Sequence, residues 1–370
     1  LGIVCINGIM NTLTKPSGLN FFEKCYKKFV QAVYKNKNVY VFEKDFKDLN
    51  LPVSVGYEAI NICNARCTFC GYGKTGADPR KKIKPKLDVL HHTLKIYDEA
   101  GGGSFSLSPI LGEITAIPNL VEILEDIRKK YKNIKGLSFY TNGILLNRFD
   151  TERIINSGVT HIDFSSSLES KESYLRLYGV DKYDQVVQNL LKLLETNKKN
   201  NNKVRIKILL RQDKPFDKFK NGELYKKITS YISESAVEFL DDQWDDFKGI
   251  VKQEDLPHNQ EFKKPIDKTK PCYALFRKLE VLVDGTIQGC ACRVEPKLWT
   301  ENIMNFSSLK SAWNNKTYNK IRSDWFDGKR PSSCDTCSHY IPYTELNRGD
   351  PIKLANKIIE KVKGQLNNFL

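Results

Sequence analysis

No stretch of this 370-residue sequence stays apolar for the roughly 20 residues that a membrane-spanning helix needs. A secretory signal is missing too. "LGIVCINGIM" at the start is apolar, yet it has neither a basic flank nor a small-residue cleavage site. The sequence therefore predicts a cytoplasmic protein without a membrane part, and residues 1–9 read as an extension ahead of a more ordinary start at Met10. Arginine is scarce beside lysine, and no recognised nucleic-acid-binding module accompanies the net charge of +15. Lysine- and asparagine-rich runs such as "LLETNKKNNNKVRIK" thus read as solvated loops rather than a groove for RNA or DNA. No internal repeat is visible, so repeat architectures drop out. Hydrophobic content of 40% fits an ordinary soluble chain able to bury one large core with an appendage, or two cores.

Apolar strand candidates fall at 53–60, 104–109, 136–141, 160–166, 204–211 and 236–242. Most are separated by amphipathic segments such as "LDVLHHTLKIYDEA" and "YDQVVQNLLKLLET". Strand–helix alternation at this spacing predicts an α/β fold with a parallel sheet. Six such units suggest an open, partial (β/α)6 TIM-like barrel over 51–250, not a closed eightfold one. Residues 1–50 read as a helix-and-strand extension. The polar, proline-containing run at 251–271 reads as a linker. Beyond it, Asp284-Gly285 marks a hairpin, two short helices follow, and 346–370 carries a terminal amphipathic helix.

Ten cysteines are the informative feature. Cys63, Cys67 and Cys70 crowd into the loop after the first predicted strand, with no fourth beside them. Structural zinc takes four ligands, usually in pairs, and a disulfide would strand one thiol. Three thiolates suit a cubane iron–sulfur cluster whose fourth iron stays open to a small molecule.

The spacing CxxxCxxC after a parallel strand, with Phe69 before the third cysteine, resembles the radical S-adenosylmethionine (SAM) superfamily. Further motifs follow strand by strand. "LGE" carries Gly112 and Glu113 where the family has Gly-Gly-Glu, with Leu111 replacing the first glycine; the resemblance implies that this segment binds the methionine amino group. Thr141 and Asn142 match the family's "TNG". "SSSLES" aligns with the segment that begins "SLD" in relatives and makes Ser165 a candidate SAM contact, although Ser166 and Ser167 stand beside it. Arg211 ends strand five, where relatives place a base against the SAM carboxylate; a solvent-facing arginine is the plain alternative.

Cys272, twelve residues, Gly285, four residues, Cys290, then Cys334-Asp-Thr-Cys337 resembles the Twitch domain, the shorter form of the SPASM extension. The resemblance implies a small α+β iron–sulfur domain over 272–345, with Cys272, Cys290, Cys334 and Cys337 holding one auxiliary [4Fe–4S] cluster. No cysteine follows Cys337, and a second auxiliary cluster would need more thiols. Cys292 is left over and is a candidate hydrogen-atom donor, a swapped ligand or an ordinary buried thiol. Cys5 and Cys25 lie outside every motif.

The implied activity is formation of a 5′-deoxyadenosyl radical that abstracts hydrogen from an unactivated carbon, fed by a flavodoxin- or ferredoxin-type electron donor. Expected substrates are small polar molecules such as sugars or aminocyclitols, undergoing two-electron dehydrogenation or epimerisation. The competing expectation is modification of a peptide or protein side chain. Asp241, Asp242, Asp245, Tyr273, Arg277 and Arg293 are acid–base candidates by position alone. Two [4Fe–4S] clusters predict about eight irons per chain after anaerobic reconstitution. Replacing Cys63, Cys67 and Cys70 together by alanine should leave about four irons and abolish SAM cleavage, as read by iron assay and deoxyadenosine release.

Overall fold

The computed structural model describes residues 51–342 except 109, 243, 264–267, 269, 270 and 291. The expected N-terminal extension, Cys5, Cys25 and the terminal helix lie outside the described residues. All six predicted strands are present: β1 (Ser54–Tyr57), β2 (Gly103–Ser106), β3 (Ile134–Thr141), β4 (His161–Ser166), β5 (Arg205–Leu210) and β6 (Val237–Phe239). They pair in sequential order and in parallel. Among the described residues no helix is long and apolar enough to cross a membrane.

Alternation along each strand separates two faces. Val55, Tyr57, Phe105, Leu137, Phe139, Ile162, Phe164, Ile206, Ile208 and Leu210 are buried toward the helices. Covering them are helices Leu87–Glu99, Leu120–Lys130 and Tyr183–Lys199, whose buried positions recur at helical spacing. Each such side chain contributes about 1.5–3 kcal/mol by leaving water. The inner face carries the alternate positions, and apart from Leu209 these are small or polar: Ser54, Gly56, Ser106, Ser138, Tyr140, His161, Asp163, Ser165, Lys207 and Glu238. The sixth strand is shorter than its apolar run suggested. After Leu240 N donates to Leu210 O, the chain turns away through Asp242 at φ 48°, held by Lys214 Nζ at 2.6 Å.

The C-terminal part extends the same sheet instead of forming one of its own. Strand β7 (Lys278–Val281) pairs in parallel with β1, and β8 (Thr286–Gln288) and β9 (Trp299–Asn302) follow antiparallel. The result is one open nine-stranded sheet, ordered β6-β5-β4-β3-β2-β1-β7-β8-β9. The hairpin turn falls at Asp284-Gly285 as expected; Gly285 sits at φ +94°, and a Cβ there would meet Asn302. Helices Leu309–Trp313 and Lys316–Phe326 complete this part.

In the segment expected as a linker, Val251, Leu256, Pro257 and Gln260 are buried and anchor it, with exposed residues between them. Gln260, 1% exposed, donates to Gln212 O and Leu240 O and accepts from Asp242 N and Trp244 Nε1. A second tie is Arg293, whose buried guanidinium forks onto Asp245 and reaches Asp246 at 2.8 Å. It also donates to Ser333 O at 2.7 Å. Arg293→Met would leave the Asp245 carboxylate buried and uncompensated, which costs about 3–5 kcal/mol. Chemical denaturation should record that loss, and Arg293→Met combined with Asp245→Leu should recover part of it.

Candidate active site

The loop after β1 is fixed by backbone bonds rather than by its own helix. Arg66 N and Thr68 N donate to Tyr178 O and Leu177 O, Thr68 Oγ1 donates to Asp255 O at 2.6 Å, and Cys70 N donates to Cys67 O. Lys74 pairs with Asp255 at 2.7 Å, so the anchored 251–260 segment holds this loop in place. Cys63, Cys67 and Cys70 are all free thiols. Burial pushes Cys63 up to about 12, and it raises Cys67 and Cys70 as well. Repulsion from the neighbouring sulfurs adds to the rise at Cys67, and Arg211 opposes it at Cys67 and Cys70. Tyr72, Ala77, Leu111 and Val294 form an apolar wall against Cys63 and Cys70, together with Phe247, Ile250 and Trp299. Leu111, in place of the family's glycine, is part of that wall.

Three enclosed thiols of this kind ionise only beside a strong positive charge. Iron in a cluster supplies it. Among the described residues no three His, Cys, Asp or Glu side chains converge on a single-ion site. In a cubane each thiolate binds its own iron, so convergence on one point is not required.

Around these thiols the expected SAM residues come together. Glu113, 3% exposed, is a hub: Oε1 accepts from Thr115 N, Thr115 Oγ1 and Thr141 Oγ1, and Oε2 accepts from Asn142 N at 2.7 Å. Burial raises its carboxyl above the usual range, and these donors counter the rise. Asn142 Nδ2 donates to Asn64 Oδ1 at 2.8 Å and lies 4.0 Å from Cys63 Sγ. Asn189, on helix Tyr183–Lys199, donates to Gly143 O and braces that loop from behind. Gly112 precedes the hub in the same loop. Arg211 Nε donates to Ser165 Oγ at 2.9 Å, and its guanidinium lies over Phe69 and Trp244. Ser165 is half-buried on the inner face, whereas Ser166 and Ser167 are fully buried. Asn64 Nδ2, Tyr174 Oη and Ser167 Oγ are buried without a protein partner, donors available to a ligand such as SAM.

In the C-terminal part, Cys272 and Pro342 form a bridge that closes the knuckle back on β7, and Cys337 N donates to Cys334 O. Cys290, Cys334 and Cys337 interact electrostatically with Cys272 or with one another. Cys292 joins them. Its backbone N–H donates to Cys290 Sγ at 3.4 Å, and its thiol bonds the same sulfur, drawing Cys290 down and its own thiol up.

The positional acid–base candidates are mostly engaged elsewhere. Asp241 and Asp242 hold Lys214, Asp245 holds Arg293, and Arg277 lies over the Tyr273 ring. Sequence reading missed a different group. On the inner face His161 Nε2 meets Asp163 Oδ1 at 2.9 Å, and Tyr140, directly across from Asp163, bonds it too. Tyr140 is 45% exposed, and desolvation and Asp163 raise its phenol. His339, just past the knuckle, keeps an exposed side chain within the electrostatic reach of Arg211 and Asp245. The signal for the inner-face group was the small-polar alternation in "SFSLS" and "HIDFSS".

Comparison with known proteins gives two family matches: the radical SAM superfamily over 57–219 and an iron–sulfur cluster-binding (SPASM) domain over 272–338. A probable GTP 3′,8-cyclase of Saccharolobus islandicus is 28% identical over 149 residues, covering 40% of this chain and 44% of the relative. The chain thus spans less than half the length of that curated relative. Streptococcus suis SuiB bound to precursor peptide SuiA superposes with TM-score 0.52 at 15% identity, covering 86% of this chain and 82% of that one. The structure of anSMEcpe with bound AdoMet gives 0.50 at 17% identity, covering 86% and 95%. These two likenesses are of fold.

Glu113→Ala strands several buried donors, at about 1–3 kcal/mol for each one left unpaired. With the expected contact to the SAM ammonium removed, SAM binding should also weaken about 10- to 100-fold, the size of one charge-assisted bond. Equilibrium dialysis checks this, with both clusters spectroscopically intact; unchanged affinity would remove Glu113 from the SAM site.

Proposed function

With a radical SAM domain and a C-terminal auxiliary-cluster domain in one chain, the protein is a radical SAM enzyme, and on that premise we propose that it oxidises a small polar, hydroxyl-bearing substrate by two electrons. When bound, SAM on an open iron supplies a hydrogen-abstracting radical, and an auxiliary cluster offers a place for the second electron. Cys63, Cys67 and Cys70 hold the SAM-binding cluster. Cys272, Cys290, Cys334 and Cys337 hold one auxiliary [4Fe–4S] cluster. Glu113, Asn142 and Ser165 with Arg211 orient SAM through its ammonium, ribose and carboxylate.

The observation that carries the substrate class is the inner face of the sheet. A row of Ser106, Ser138 and His161, then Tyr140, Asp163 and Lys207, runs across consecutive strands in register. Such a surface satisfies hydroxyl and amino groups and penalises an apolar ligand. In this reading Asp163, bonded by His161 and Tyr140, takes the hydroxyl proton as the carbon is oxidised.

Dehydrogenation is favoured over epimerisation because Cys292 is bonded to Cys290 inside the auxiliary thiol group. A returning hydrogen atom would have to come from a thiol facing the substrate. Modification of a peptide side chain is the competing reading, and the substrate screen separates them. Under anaerobic conditions, polyhydroxylated small molecules should stimulate deoxyadenosine release, and peptides should not. Asp163→Asn should then lower product formation about 100-fold or more, the usual worth of a positioned base. Cys292→Ser should retain turnover, and wild-type product should carry no solvent deuterium at the reacting carbon. One solvent deuterium, with Cys292→Ser inactive, would make the enzyme an epimerase.

A further inference from the structure

Between the SAM-cluster loop and helix Leu87–Glu99 the sequence reads "GYGKTGADPRKKIKPK". Its backbone is firmly held. Arg80 forks onto the fully buried Glu58 at 2.5 and 3.0 Å and onto Asp78 at 2.8 Å. Asn61 donates to Lys81 O at 3.0 Å and accepts from Ile83 N at 2.6 Å. The lysine heads are not held in this way. Lys81, Lys82, Lys84 and Lys86 are exposed, as is Arg66 on the cluster loop. Among the described residues none of these five is in an ion pair, whereas Lys74 and Arg80 beside them are.

The patch has a short connection to the thiols. Arg66 and Lys82 both lie over the Tyr72 ring, at 5.2 and 5.6 Å from its centroid. Tyr72 packs against Cys63 and Cys70, and its backbone N–H donates to Cys70 Sγ at 3.4 Å. A protein seated over Arg66 and Lys82 would therefore be separated from Cys70 by little more than the Tyr72 ring.

We propose that this ribbon is the docking surface for an acidic one-electron carrier protein of the flavodoxin or ferredoxin class, which reduces the cluster held by Cys63, Cys67 and Cys70. The proposal rests on the radical SAM reading of those thiols. Charge complementarity selects the partner: five unpaired cations on a pinned backbone attract an acidic face at no ordering cost to the main chain, and they speed encounter at low salt. The transfer is balanced simply. The carrier loses one electron, the cluster gains it, and no bond is made or broken.

The test uses full-length, anaerobically reconstituted protein, a purified flavodoxin in its reduced form, and the variant Lys81→Glu/Lys84→Glu/Lys86→Glu. Lys82 and Arg66 stay in place so that Tyr72 keeps its packing. Stopped-flow absorbance should show flavodoxin reducing the variant's cluster at least ~10-fold more slowly at low ionic strength, a difference that shrinks as salt screens the patch. Calorimetry should show weaker flavodoxin binding to the variant by a similar factor. Dithionite, a small reductant needing no docking, should support equal SAM cleavage in both proteins. Equal flavodoxin kinetics and binding, with dithionite cleavage intact, overturn the docking proposal alone. Failure of dithionite to support SAM cleavage in the wild type overturns the radical SAM reading and the docking proposal with it. If the substitutions abolish binding of RNA or an acidic peptide while flavodoxin reduction is unchanged, the ribbon serves that partner instead.

Discussion

Strand β1 hydrogen-bonds on both edges, to β2 on one side and β7 on the other, and most of the molecule hangs on that arrangement. Its register with β7 runs from Ser54 opposite Lys278 to Tyr57 opposite Val281, and Glu58 N extends the ladder to Val281 O. Gly56 is what permits the close approach on the inner face: a Cβ there would collide with Glu280 and Lys278, which form a buried pair at 2.7 Å. The cluster loop leaves β1 just beyond this point. The hairpin leading to Cys290 leaves β7 beside it, and Glu58 accepts from Val283 N as well as holding Arg80. One strand thus fixes the starting positions of both cysteine groups and of the basic ribbon.

The ties between the two parts are polar to an unusual degree. Arg293 with Asp245 is a nearly fully buried ion pair that joins them, and Val283 N donates to Glu58, whose carboxylate is itself buried against Arg80. Taking such groups out of water costs nearly as much as their attraction returns, so they add little net stability. What they do add is a penalty for any other arrangement, because a displaced partner leaves a charge unpaired in the interior. Holding two cysteine groups in one fixed arrangement depends on that specificity more than on extra stability. Polar ties of this kind supply that, whereas an apolar interface could slide.

How much of this could be read in the sequence follows from the range of each interaction. The cysteine spacings, the six barrel strands and the Asp284-Gly285 turn are local patterns, and all three were legible. Continuity of the sheet was not, because pairing of β1 with β7 joins residues more than two hundred positions apart and leaves no local trace. The same holds for Gln260, Asp255 and Asp245, which sit in polar stretches that look like any linker or loop until their partners are known. Asp241, Asp242 and Arg293 were singled out as acid–base candidates by type and place. Their engagement as Lys214 and Asp245 partners could not be seen without the fold. His161 and Asp163 carried a usable signal, the alternation of polar residues along a strand whose other face begins with Ile162 and Phe164.

That alternation divides the chemistry within the site. The thiols of Cys63 and Cys70 face an apolar wall of Tyr72, Ala77, Leu111, Val294 and Trp299, drawn from both parts of the chain. Such a wall keeps water from a reactive centre and strengthens every charge interaction beside it. The inner face of the sheet, a few strands away, is hydrophilic and water-accessible at Tyr140. Arg211 stands where the two surfaces meet, its cation near Cys67 and Cys70, its Nε on Ser165, and Tyr140 within its field. The polar face is built from alternate residues of β3, β4 and β5, whereas the dry wall is built from loop residues Tyr72, Ala77 and Leu111 and closed by Val294 and Trp299 from beyond β8.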